Sequence, residues 1–146
     1  MRCVVQRVKK ACVVIDGGEK NEIGQGLVVL CAFEDDDNLE KIKFVAEKIA
    51  GLRIFTDEND KLNLSIFDVE GELLIVSNFT LYGDCTHGRR PSFIRASKPE
   101  ISKKLYEEFV QELKNKNLVV KTGKFGADML VSIDNDGPVT LIVESK

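Results

Sequence analysis

The residues able to do chemistry are few and concentrated. Between Ser77 and Phe93 stand Ser77, Asn78, Phe79, Thr80, Cys85, His87, Arg89 and Arg90, spaced by Gly83, Gly88 and Pro91. They follow the apolar run Glu72–Ser77 (ELLIVS), so the pattern is a buried strand opening into a long polar loop, and long loops in compact domains are often functional. Thr80 is a nucleophile by type, but no base stands near it, and a hydroxyl capping the loop explains it equally. Cys85 and His87 are a nucleophile and a base by type. No third group orients the imidazole, and two loop residues without a shared role is the plainer reading. Arg89 and Arg90, within His87-Gly88-Arg89-Arg90-Pro91-Ser92-Phe93, join cations to open backbone and an aromatic, a combination suited to phosphate or a nucleotide end. On charge alone a solvated or internally paired arginine couple fits as well. The other candidate is Gly137-Pro138, since an X-Pro bond is cis at modest cost and glycine lets a backbone approach a ligand closely. A plain turn is the alternative.

Generic templates are missing. There is no GxGxxG, GxxxxGK[ST] or GxSxG pattern, and the stretch from Gly83 to Arg89 lacks the Lys-Ser/Thr end of a phosphate loop. Asp35-Asp36-Asp37 precedes a helix, where acids complement the helix dipole, so no metal is inferred from it. The four cysteines (Cys3, Cys12, Cys31, Cys85) are dispersed and His87 is the single histidine, which excludes clustered zinc ligands. Cys3, Cys12 and Cys31 lie in apolar, strand-like contexts and read as buried reduced thiols of a cytoplasmic protein. No metal or cofactor is expected. The 146 residues suit one domain (1–146), and 43% hydrophobic with 31% charged content suits a packed globule. A net charge of −3 argues against gripping nucleic acid with the whole surface but permits a local basic patch. No apolar run reaches membrane-spanning length, and residues 1–8 do not resemble a secretory signal.

The elements that must position these groups follow from periodicity and turn residues. Residues 2–8 and 11–15 are β-branched and apolar, with Lys9-Lys10 between them, which predicts a hairpin followed by a short strand near Glu19–Ile23. Leu27–Phe33 is a fully apolar strand. Asp37-Asn38-Leu39-Glu40 predicts an acid N-cap with a capping glutamate. Leu39, Ile42, Val45, Ala46 and Ile49 follow at helical spacing, and Gly51 ends the helix. Arg53–Phe55 reads as a short strand, Asp57–Lys61 as a polar turn and Ser65–Val69 as a short irregular or helical link. Ser97-Lys98-Pro99-Glu100 predicts a second capping box, with Ile101, Leu105, Phe109 and Leu113 on the apolar face of its helix. Leu118–Lys121, Met129–Ile133 and Val139–Val143 are strands, and Asn135-Asp136-Gly137-Pro138 is the turn before the last. The order is not the regular βα alternation of a doubly wound sheet. It predicts an α+β fold, a curved barrel-like β-sheet covered by two main helices.

SNFTLYGD (Ser77–Asp84), GRRPSF (Gly88–Phe93), TGKFGADM (Thr122–Met129) and NDGPVT (Asn135–Thr140) together resemble the D-aminoacyl-tRNA deacylase family. The opening MRCVVQRV and Leu52-Arg53-Ile54-Phe55 are similar to that family's N-terminal half. The resemblance runs from Met1 to about Ser145 in the expected order. The family's first signature is usually Ser-Gln-Phe-Thr-Leu, and Asn78 here stands for the glutamine, one methylene shorter. The second, Gly-Pro-Val-Thr, is intact at Gly137–Thr140. The resemblance implies a barrel-like homodimer whose Gly-Pro motif, with a cis peptide, enters the partner's active site, and Arg7 matches an arginine that holds that motif.

The implied reaction is hydrolysis of the ester between a D-amino acid and the terminal ribose of tRNA. That ester is already activated, so positioning and oxyanion stabilisation suffice, which accounts for the missing catalytic dyad. By resemblance, backbone at Phe79-Thr80 approaches the carbonyl and a ribose hydroxyl assists the water. Ser77 and Asn78 belong to the same signature, and a chemical part for Thr80 stays open. Gly137 and Pro138 present main-chain carbonyls to the amino group, selecting D-residues by rejecting L-residues, and glycyl-tRNA escapes that rejection. Phe125, Ala127 and Met129 lie near the terminal adenosine. Arg89 and Arg90 are tRNA-binding candidates, and neither DNA nor a membrane is an expected partner. The rival readings are a related deacylase acting on another mischarged tRNA, a non-catalytic RNA- or replication-associated binding module, and a small-ester hydrolase using Thr80 or Cys85.

Overall fold

The computed structural model describes residues 1–145. Its frame is one long hairpin. Strand β1 (Arg2–Ile15) turns at Asp16-Gly17-Gly18 into β2 (Glu19–Ile23) and then β3 (Gly26–Ala32). All pairs from Ile15↔Glu19 to Arg2↔Ala32 keep the same register, so β2 and β3 share one edge of β1. The turn has φ of +48° at Asp16 and +69° at Gly17, the left-handed conformation that an Asp-Gly pair accepts readily. The hairpin expected at Lys9-Lys10 is therefore corrected. The two lysines are exposed mid-strand, and the chain reverses where Asp-Gly-Gly allows positive φ.

Helix α1 (Leu39–Ala50) follows, then the short pair β4 (Phe55–Thr56) and β5 (Leu62–Leu64) around the polar turn, then β6 (Glu72–Ser77). A single-turn 3-10 helix (Phe79–Tyr82) opens the polar loop that leads to helix α2 (Pro99–Lys114), β7 (Val119–Thr122) and β8 (Met129–Glu144). β6 lies parallel to β3 and β7 parallel to β6, while β8 runs antiparallel along the other edge of β1. The main sheet thus has the order β2-β1-β3-β6-β7 with β8 beyond β1, a mixed, nearly closed barrel-like sheet with two main helices.

Strands β3 and β6 are buried on both faces, which is why both read as unbroken apolar runs. On one face Val5, Val29 and Ile75 pack with Ile42, Ile49, Phe109 and Leu113 of the helices. On the other, Val8, Val13, Val28, Leu74 and Val76 pack beneath Met129, Val131 and Ile133 of β8. Cys3 and Cys31 are buried partners on β1 and β3, and burial pushes both thiols up, whereas Cys12 is only half-buried and Cys85 is exposed.

Three local expectations need correction. The α1 cap is Asn38, whose Oδ1 accepts from Lys41 N at 3.1 Å. Asp37 is drawn inward to the Met1 ammonium and accepts from Glu34 N at 2.8 Å. The second capping box does not form. Lys98 is the N-cap of α2 without a side-chain bond, and Ser97 Oγ is buried with no hydrogen-bond partner among the described residues. The buried face of α2 is Ser102, Tyr106, Phe109, Val110 and Leu113, whereas Ile101 is exposed, because the helix meets the sheet one position round from the apolar spacing. Pro99 does occupy the first turn, and Gly51 does close α1.

Candidate active site

The Gly137-Pro138 segment is a loop-out within β8 rather than a turn between strands. Gln6 pairs with Thr140 and Val8 with Asn135, so Asp136–Val139 stand opposite Arg7 alone. Just beyond, Lys9 and Lys10 on β1 face Asp134 alone, since Ala11 pairs with Ile133. Bulges of this kind re-aim a strand locally, and they concentrate beside active sites. On both sides of the bulge β8 stays antiparallel to β1, in a shifted register, and for that reason the expected reversal at Asn135–Pro138 is absent.

The bulge is held from beneath. The Arg7 side chain is 9% exposed. Its Nε donates to Asp136 O at 3.1 Å and faces Asp136 Oδ2 at 3.4 Å, and its Nη1 donates to Ile54 O at 2.8 Å and Thr56 Oγ1 at 3.2 Å. Asn135 closes the neck, accepting from Val139 N at 3.1 Å and donating Nδ2 to Thr140 Oγ1 at 2.9 Å. Above this support Gly137 and Pro138 are exposed and joined by a cis peptide. Gly137 has φ +127°, and a Cβ there would stand 2.9 Å from Val139 Cγ2 and 3.0 Å from Arg7 Nη2. Glycine is required by conformation and by space at once.

The second half of the candidate site is the 3-10 turn at the end of β6. Asn78 N donates to Cys31 O at 2.8 Å, fixing the turn to the end of β3. Thr80 Oγ1 donates to Asn78 Oδ1 at 2.5 Å. The Asn78 amide therefore serves the turn itself, a short-range task that its side-chain length fits. Phe79 is 56% exposed, and its ring meets Phe93 edge-on at 5.2 Å. Gly83 is small for space rather than conformation, since a Cβ there would lie 2.9 Å from the Phe93 ring. Asp84 and Ser92 exchange two backbone hydrogen bonds of 2.8 and 2.9 Å, closing the neck of the Cys85–Pro91 loop.

That loop separates the remaining candidates. His87 Nδ1 pairs with Thr86 Oγ1 at 2.8 Å, and no hydrogen bond joins Cys85 to His87 among the described residues. Arg89 and Arg90 are exposed and form no ion pair among the described residues. Asp36 pairs with Lys41 at 2.7 Å, which holds its carboxyl low. Among the described residues no group of three metal-ligating side chains occurs, and no helix is long and apolar enough to cross a membrane. Phe125 packs on Tyr106 with ring centroids 5.9 Å apart, and the Tyr106 hydroxyl, pushed up by burial, donates to Ile75 O at 3.0 Å. Ala127 and Met129 are half-buried against the second core, with Met129 Sδ lying where a Gly123 side chain would be.

Sequence reasoning missed two arginines. Arg2 Nη1 donates to Leu81 O at 3.0 Å, and the guanidinium groups of Arg2 and Arg95 lie over the Tyr82 ring at 5.0 and 5.2 Å. The contacts join residues far apart in the chain, so no local spacing announces them.

Comparison with known proteins places the chain in a family. A D-aminoacyl-tRNA deacylase of Thermosipho africanus is 60% identical over 146 residues, covering 100% of this chain and 98% of the relative. One of Clostridium beijerinckii is 55% identical over the same span, again covering 98% of the relative. Among solved structures, a c-Myc DNA Unwinding Element Binding Protein superposes with a TM-score of 0.92 at 40% identity, covering 100% of this chain and 99% of the other. A probable eukaryotic D-amino acid tRNA deacylase superposes at 0.85 with 18% identity, covering 98% of each chain, a likeness of fold. The family profile described as D-Tyr-tRNA(Tyr) deacylase matches residues 4–144, and the chain belongs to that family.

Proposed function

We propose that this protein is a cytoplasmic homodimeric hydrolase of D-aminoacyl-tRNA, in which the Gly137-Pro138 bulge of one protomer completes the Phe79-Thr80 site of the other. The observation that carries the reading is the bulge: exposed backbone, supported by a buried arginine, at a position where only glycine fits. Exposed Leu130, Leu141 and Ile142 on the strand that bears it supply apolar surface for a second copy.

Water attacks the ester carbonyl, backbone N–H groups at Phe79-Thr80 stabilise the developing oxyanion, and the bond from carbonyl carbon to ribose oxygen breaks to give free D-amino acid and tRNA. A ribose hydroxyl of the tRNA assists the water. The Thr80 hydroxyl is already committed to Asn78, which supports a structural rather than a nucleophilic task. Main-chain carbonyls of Gly137 and Pro138 hold the α-amino group. With amino group and carbonyl both fixed, the side chain of a D-residue points outward, whereas the Cβ of an L-residue meets the Gly-Pro backbone. Selection is by rejection, so many D side chains are accepted, and glycine, without a Cβ, is hydrolysed too. Arg89 and Arg90 attract the phosphates, and Phe125, Ala127 and Met129 border the terminal adenosine.

The test is deacylation of matched D- and L-tyrosyl-tRNA by wild-type protein and Cys85→Ala. Loss of the D-ester alone, unaffected by the substitution, is expected. Binding of tRNA with the ester left intact supports instead a non-catalytic nucleic-acid module, a reading favoured by the name of the structural relative that binds a DNA element. Light scattering is expected to give about twice 16.3 kDa, and a fully active monomer contradicts the shared site.

A further inference from the structure

The turn that offers its backbone to the ester is too short to hold its own shape. A single 3-10 turn has few internal hydrogen bonds of poor geometry, so its position must come from neighbours. Its first residues are tied down by Asn78 N to Cys31 O. Its last residue, Tyr82, is 3% exposed although the turn lies at the surface. Two guanidinium groups lie over its ring, those of Arg2 and Arg95, at 5.0 and 5.2 Å. Each has its own carboxylate: Arg2 Nε donates to Glu144 at 2.5 Å, and Arg95 donates through Nε and Nη2 to Glu34 Oε1 at 3.1 and 2.7 Å. Arg2 also donates Nη1 to the turn directly, at Leu81 O. Burial and the Glu34 carboxylate push the Tyr82 phenol up, so it stays neutral and the ring offers its face to the cations. The pairing with Glu34 also pushes the Arg95 guanidinium further up.

From this geometry we propose that Arg2, Tyr82 and Arg95 form a clamp that positions the Phe79-Thr80 backbone for oxyanion stabilisation, with Glu144 and Glu34 orienting the two arginines. The proposal rests on the reading that this backbone meets the ester. None of the five residues touches the reacting atoms; all are positioning residues. The clamp joins β1, β8, Glu34 in the segment between β3 and α1, and the loop before α2 to one turn, so a donor geometry that must hold within a fraction of an ångström is braced from four sides. It also divides the cationic run Arg89–Lys98 by task. Arg89 and Arg90 are unpaired among the described residues and free for phosphate, whereas Arg95, though exposed, is stacked on Tyr82 and paired with Glu34.

Steady-state kinetics on D-tyrosyl-tRNA with Arg95→Ala, Arg95→Lys and Glu34→Gln, with melting temperatures and the salt dependence of tRNA binding, test this. Arg95→Ala is expected to lower kcat about ten-fold, since small misplacements of a reacting geometry cost at least that much, with KM within about two-fold. Arg95→Lys recovers a substantial part of kcat because charge over the ring and pairing with Glu34 are kept, and Glu34→Gln lowers kcat in the same direction. The salt slope of binding stays that of wild type. An unchanged kcat in Arg95→Ala overturns the clamp. So does a raised KM with a flatter salt slope, which makes Arg95 a phosphate ligand, and so does a loss that follows the melting temperature without rescue by lysine. A wild-type protein that leaves D-tyrosyl-tRNA intact defeats the reading of the site itself, a separate outcome.

Discussion

The Gly-Pro bulge and the Cys85–Pro91 loop are both exposed excursions from the same sheet, but they are held in opposite ways. The bulge rests on a buried guanidinium with three acceptors, and an asparagine closes its neck. The loop is closed only at its own neck by Asp84 and Ser92, and its arginines project without partners among the described residues. The difference suits the two tasks proposed for them. Discriminating one hand of an α-carbon requires backbone that does not yield, whereas attracting a polyanion requires charge that is not already neutralised.

Arg7→Ala breaks the first region most severely. It leaves Ile54 O and Asp136 O without their buried donor, so denaturant melts are expected to lose about 2–4 kcal/mol, and kcat/KM on D-tyrosyl-tRNA to fall about a hundred-fold. Wild-type activity in this variant would show that the bulge needs no support. Gly137→Ala is next. A non-glycine residue at that φ costs about 1–3 kcal/mol, and the added methyl displaces Arg7 or Val139. Turnover is expected to fall about ten-fold, measured against a folded control by circular dichroism. In the second region, Arg89→Ala with Arg90→Ala is expected to raise KM and leave kcat nearly unchanged. The log–log salt slope of tRNA binding flattens by about 1.5 if each arginine meets one phosphate. An unchanged slope assigns both arginines elsewhere. The smallest effect belongs to Thr80→Ala, which removes a hydroxyl engaged with Asn78. Activity within about ten-fold of wild type is expected, and a trapped acyl-enzyme on Thr80 in the wild type would contradict it.

The sequence made part of this legible. β3 and β6 are unbroken apolar runs because both of their faces are buried, and α1 ends at Gly51 as its spacing requires. A lysine pair resembles a turn by polarity, but the chain reverses a few residues on, where Asp-Gly-Gly accepts positive φ. Asp37 and Ser97 carry capping chemistry by type, but tertiary contacts claim Asp37 for the Met1 ammonium and bury Ser97, and local propensity gives way. The family resemblance alone groups Arg7, Phe79, Thr80 and Gly137-Pro138 as candidates, and the structure adds how Arg7 reaches beneath the bulge. The Arg2–Tyr82–Arg95 stack was not legible, since its members meet only when the sheet closes.

Rejection of the L-configuration by the Gly-Pro backbone is the central claim, and the most direct test varies the substrate rather than the protein. D-alanyl-, glycyl- and L-alanyl-tRNA are followed side by side in one deacylation time course with the wild-type enzyme. Hydrolysis of the first two with L-alanyl-tRNA spared is the predicted result. Glycyl-tRNA as resistant as L-alanyl-tRNA contradicts rejection and requires a pocket that recognises the D side chain itself.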